Sequence, residues 1–146
     1  MLLEKSTNLS SLNIINLPDT PGGRLKLSRL KKGMTQVELS NATGISVTAI
    51  RQLEKDKSKA TLPSLRKLSK ALGVSNAYLG CFEKLPEDTL GQKIRKARLY
   101  HGFNQKEFAK VLGVVEKTVR KWESDIHKPI NIHSENLQHF LKIIKT

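Results

Sequence analysis

The chain contains one stretch twice. Shifting it by 69 residues lays 19–56 over 88–125 without a gap, and 12 of the 38 aligned positions are identical. The matches include Asp19/Asp88, Thr20/Thr89 and Gly22/Gly91, then Arg29/Arg98, Gly33/Gly102, Gln36/Gln105 and Gly44/Gly113, and lastly Glu54/Glu123 and Asp56/Asp125. Leu25/Ile94, Ile45/Val114 and Ile50/Val119 keep their apolar character. Identity at caps, turns and core positions, with no insertion between them, is the mark of a duplicated structural module. The chain is therefore constrained to folds that can be built twice from about 60 residues each.

Within the first copy, the stretch 35–54 reads TQVELSNATGISVTAIRQLE. Thr35 suits a helix N-cap, with Glu38 placed to complete a capping box. Gly44 can adopt the left-handed conformation of a tight turn. Ser46 can cap the next helix. On that helix Ile50 and Leu53 share a face, matched by Leu39 and Ile45, so Val47, Thr48, Arg51 and Gln52 point outward. Two short helices joined through a Gly turn, with polar groups on the outer face of the second, describe a helix-turn-helix. In the second copy Asn104 and Glu107 repeat the capping box, Gly113 the turn, and Val119 and Trp122 the core face.

Read in order, residues 1–18 form a tail, of which Leu12, Ile14, Ile15 and Leu17 can pack on the first domain or make a short extended segment. That first domain covers 19–84. Thr20 caps a helix with Pro21 at its first position, Leu25, Leu27 and Leu30 give it apolar sides, and Gly33 stops it. Pro63 opens a helix with Leu65, Leu68, Ala71 and Leu72 inward and Gly73 as its stop. Ser75 begins a fifth helix reaching Phe82. The linker, roughly 84–87, spans under about 20 Å at full extension. A second domain covers 85–146, and Ser134 caps its last helix, which carries Leu137, Phe140, Leu141 and Ile144 but is followed by no fifth helix.

The formal net charge is +13 with a pI near 10, and both halves share the excess. Such a field favours a polyanion, nucleic acid ahead of a membrane surface. Cys81 is the one cysteine, so no internal disulfide forms and a reducing compartment is expected. No apolar run approaches the ~18 residues of a membrane span. The N-terminus has no continuous apolar core of a secretory signal. These readings place the protein in the cytoplasm. His127, His133 and His139 recur every six residues, a spacing that fits neither a helix face nor a zinc pattern. No nucleophile elbow, phosphate-binding Gly loop or HExxH is found. Neither enzyme activity nor a cofactor or metal is expected.

On TQVELSNATGISVTAIRQLE with LPSLRKLSKALGVS downstream, and on NQKEFAKVLGVVEKTVRKWE in the second copy, each module resembles the DNA-binding domain of lambdoid phage repressors and the wider Cro/C1-type (XRE) regulators. The resemblance implies an all-α fold of two tandem helix-turn-helix domains, four to five helices each. It implies sequence-specific binding of double-stranded DNA to regulate transcription as a repressor, with the third helix of each module in the major groove. Gln36 and Gln105 then touch a DNA phosphate, and Val47, Thr48 and Gln52 face base edges beside Arg51. Lys55, Lys57 and Lys59 lie along the backbone. Arg29 pairs with Glu54, and Arg98 with Glu123. The chemistry agrees: Gln bonds adenine bidentately, and Val or a Thr methyl contacts the thymine methyl.

The second copy departs from this pattern. Val115 stands where Ser46 caps, and Glu116 opens the third helix ahead of Lys117, Arg120 and Lys121. This module reads a different sequence, or serves to clamp DNA or to form a homodimer. A rival reading is a protein-interaction module of antitoxin or adaptor type. A third is an accessory factor for recombination or replication.

Overall fold

The computed structural model describes residues 16–144, with the side chains of 131–134, 143 and 144 excepted. The expected packing of Leu12, Ile14 and Ile15 lies outside the described residues. Regular structure among the described residues is helical throughout, with no strand. The fold is all-α, and the chain divides after Cys81 into two compact units.

The first unit holds α1 (Pro21–Lys31), α2 (Gln36–Thr43), α3 (Val47–Glu54), α4 (Leu62–Leu72) and the single turn α5 (Asn76–Leu79). Each begins on a hydroxyl: Thr20, Thr35, Ser46, Thr61 and Ser75 accept a backbone N–H three residues on. Such a cap satisfies a donor that the helix itself leaves unpaired, at about 1 kcal/mol each. At α2 only half of the expected capping box forms, because Glu38 makes no return bond to Thr35. Gly33, Gly44 and Gly73 follow α1, α2 and α4 with φ between 69° and 77°. Leu25, Leu39, Ile50, Leu53, Leu65, Leu68, Leu72 and Leu79 make the core.

Two helix boundaries in the first unit differ from expectation. The fourth helix starts one residue before Pro63, on the Thr61 cap. The fifth ends at Leu79, because Cys81 turns to φ 52° and leaves helical geometry. A separate 3₁₀ turn then covers Phe82–Lys84 in the second unit. Thr43 is buried and internally satisfied: its hydroxyl donates to Leu39 O at 2.7 Å and accepts from Ile45 N at 3.2 Å.

The second unit continues with α6 (Leu90–Tyr100), α7 (Gln105–Leu112), α8 (Glu116–Glu123) and α9 (Asn131–Ile144). Each starts 69 residues after its counterpart among α1–α4. The duplication therefore runs past Asp125, through a loop of unchanged length, into a helix whose sequence no longer matches. Ser134 lies inside α9, which begins at Asn131. The core gathers Ile94, Phe108, Ala109, Leu112, Val119, Trp122 and Leu137, with Phe103 and Phe140 packed against it. Phe108 and Phe140 meet edge to face at 5.3 Å, a favoured aromatic geometry. Complete capping boxes form at Thr89/Gln92 and Asn104/Glu107. Val115, in N-cap geometry, offers α8 no side-chain bond.

Candidate nucleic-acid interface

The outer face of α3 is aimed by what holds its C-terminal end. Asp56, just past α3, sits at φ 56°, a conformation Asp tolerates better than most residues. Its carboxylate accepts from Thr20 Oγ1 and, at 2.8 Å, from Gly22 N. The N-terminus of α1 thus rests directly on the end of α3. The fit is close enough that a Cβ on Gly22 would stand 2.4 Å from Leu53 O. The second unit repeats the clasp. Asp125, at φ 59°, accepts from Thr89 Oγ1 at 2.7 Å and Gly91 N at 2.8 Å. The Thr89 bond, then the Gly91 bond, with a smaller pull from Lys128, holds the Asp125 carboxyl below its ordinary value despite a small desolvation effect.

Beside each clasp lies a buried ion pair. Arg29 donates from Nη2 to Glu54 Oε1 at 2.7 Å and from Nε to Oε2 at 2.9 Å. Its third nitrogen reaches Met34 O at 2.8 Å. Arg98 makes the same bonds, to Glu123 at 2.8 and 3.1 Å and to Phe103 O at 2.9 Å. Only 3–8% of these four side chains is exposed. Each pair therefore ties α1 to α3, or α6 to α8, in a fork geometry that Lys could not supply.

Gln36 and Gln105, the first residues of α2 and α7, are half-buried. The Gln105 amide donates to Glu123 Oε2 at 3.0 Å, whereas Gln36 approaches Glu54 only to 3.4 Å. On α3, Thr48 and Arg51 are exposed, while Val47 and Gln52 are half-buried and less outward than expected. Gln36, Val47 and Arg51 line one surface groove with Met34, Thr35 and Val37. Lys55, Lys57 and Lys59 are all exposed on the loop that follows α3. Amide, hydroxyl, guanidinium and ammonium groups so presented can donate to phosphate oxygens and base edges together.

On α8, Lys117 and Arg120 are exposed and Lys121 is half-buried. Glu116 accepts from Arg120 Nη2 at 3.1 Å, one helical turn away. The first unit has Val47 there, which cannot make such a bond. The following loop also differs: Ser124 and Ile126 stand in place of Lys55 and Lys57. Val111, Val115, Ile126 and Ile130 are 49–67% exposed. They replace Ala42, Ser46, Lys57 and Thr61 of the first copy.

Sequence reasoning missed the clasp residues Thr20, Gly22 and Asp56 and their repeats as a unit. Their identity in both copies was the available signal. No group of three or more metal-ligating side chains gathers among the described residues. No described helix is long and apolar enough to cross a membrane. Residues 25–79, from α1 to the end of α5, match a family model described as helix-turn-helix. Over those residues the first unit is similar to that family. No curated protein and no solved structure matches the chain significantly.

Proposed function

We propose that the chain is a sequence-specific double-stranded DNA-binding transcriptional regulator, acting as a repressor on chromosomal or phage DNA in the cytoplasm. The helix-turn-helix match over 25–79 supports the first module. The observation that carries the reading is the outer face of α3. A helix capped by Ser46 presents Thr48 and Arg51 to solvent, flanked by Gln52 and three exposed loop lysines. In this reading α3 lies in the major groove and Gln36 contacts a phosphate. Gln105 and α8, with Lys117, Arg120 and Lys121, make a second, more electrostatic contact. Titration of a duplex across salt concentrations tests it. Binding should weaken steeply, with a log–log slope of about −0.9 per neutralised phosphate. No binding at low salt, or a complex indifferent to salt, overturns the proposal.

One observation favours a second reading for the second unit, a protein-interaction surface. The exposed aliphatics Val111, Val115, Ile126 and Ile130 lie on α7, just before α8 and on the loop between α8 and α9. They are not on the described part of the last helix, where Leu137 is buried and Phe140 and Leu141 are half-buried. Sedimentation of the full chain at rising concentration, with and without duplex, distinguishes self-association through these side chains from DNA binding by the second unit.

A further inference from the structure

In the second unit one buried carboxylate serves two partners of different kinds. Glu123 ends α8 and is almost wholly enclosed. Both its oxygens face Arg98, which is itself anchored on Phe103 O. The Oε2 atom also accepts from the Gln105 side-chain amide at 3.0 Å. Gln105 is the first residue of α7, whose start is fixed by the complete Asn104/Glu107 box. Three helices and the α6–α7 loop thus converge on a single glutamine amide.

We infer that Arg98 and Glu123 are positioning residues, holding the Gln105 amide in the pose in which its remaining N–H meets a DNA phosphate. This rests on the DNA-binding reading above. The carboxylate takes one of the two amide hydrogens and leaves the other free to donate. A charged acceptor polarises the amide, strengthening its second donation. Holding the side chain before binding also removes an ordering cost that a free glutamine would meet on the DNA. Arg98 is needed in this arrangement because a bare carboxylate beside a phosphate would repel it. Gln36 lies 3.4 Å from Glu54, so the same device is looser in the first unit.

The test uses the full chain and a random-sequence duplex at low salt. Arg98→Met combined with Glu123→Leu removes the ion pair without leaving a buried charge, a replacement often neutral for stability. Thermal melting checks that the fold is kept. This double variant should bind the duplex roughly 3- to 10-fold more weakly, and Gln105→Ala should lose a similar factor. The triple variant should bind no more weakly than Gln105→Ala alone. In the free protein, the ¹⁵N order parameter of the Gln105 side-chain amide should be high. In the double variant it should fall to that of the exposed Gln138. Losses that multiply in the triple variant, or a Gln105 amide as mobile in the wild type as Gln138, overturn the inference while leaving DNA binding intact. Should the double variant melt early, the order parameter of the wild-type amide alone decides between the same two outcomes. Failure of the wild type to bind any duplex at low salt overturns the DNA-binding reading itself.

Discussion

A buried guanidinium and a buried carboxylate stabilise each unit only as a pair. Arg29 and Glu54 expose 8% and 3% of their side chains, so removing one leaves the other charged and unsolvated. Arg29→Ala or Glu54→Ala should each cost about 3–5 kcal/mol, read by urea unfolding, with base preference of the surviving folded fraction unchanged. A loss under about 1 kcal/mol would mean the pair behaves as a surface contact. Asp125 behaves differently, being exposed but strongly bonded. Its carboxyl is held below the ordinary value by Thr89 and Gly91, so the folded state favours the ionised form. That contribution is full at neutral pH, above the unfolded value near 4. It is lost as pH falls through the depressed folded value. Asp125→Asn should therefore lower the melting temperature at neutral pH and flatten its decline in acid. An unchanged acid limb would remove Asp125 from the account.

At the scale of elements, the two copies differ most at the start of the third helix. Val115 occupies N-cap geometry, φ −85° and ψ 154°, but has no oxygen to offer. Val115→Ser needs no backbone change and should stabilise the second unit by about 1 kcal/mol, measured by thermal melting; a neutral or negative effect would show that the Val side chain contributes packing there. The clasp makes the opposite prediction. A methyl at Gly22 would meet Leu53 O and Glu54 O at 2.4 and 2.7 Å. Gly22→Ala should therefore destabilise by roughly 1–3 kcal/mol, even though Ala is the better helix former. A more stable variant would show that α1 can draw away from α3 without cost. Caps and glycine stops were legible in the sequence because they are interactions within three or four residues. The missing half of the Thr35 box and the early end of the fifth helix were not, because both depend on where Glu38 and Cys81 come to lie.

At the scale of the whole chain, the proposal assigns unequal work to the two copies. The first has a capped α3 with Val47, Thr48 and Gln52. The second has Glu116 among Lys117, Arg120 and Lys121. Gln52→Ala should relax preference at one or two base pairs while largely keeping non-specific affinity. Lys117→Ala with Lys121→Ala should weaken binding to every sequence and flatten the salt slope by about 2. Both are measured on a selected site and on scrambled duplex at two salt concentrations. If the lysine pair alters which sequence is chosen and Gln52→Ala alters nothing, the second module is the reader.

What the sequence determined by itself was local or repeated: helical class, caps, turns and the apolar faces of α2, α3, α7 and α8. Such features depend on neighbours a few residues apart, and duplication printed many of them twice. Identity also marked Thr20, Gly22 and Asp56, but not what joins them, since Thr20 and Asp56 are 36 residues apart. Only the fold brings α1 onto the end of α3 and turns three unexplained matches into one contact. It alone decided that α9 keeps the register of α4 after the sequences diverge, because loop length and packing, not identity, hold a helix in place. It alone, too, set Glu123 between Arg98 and Gln105, for a carboxylate's partners are chosen by burial and distance, which no spacing along the chain contains.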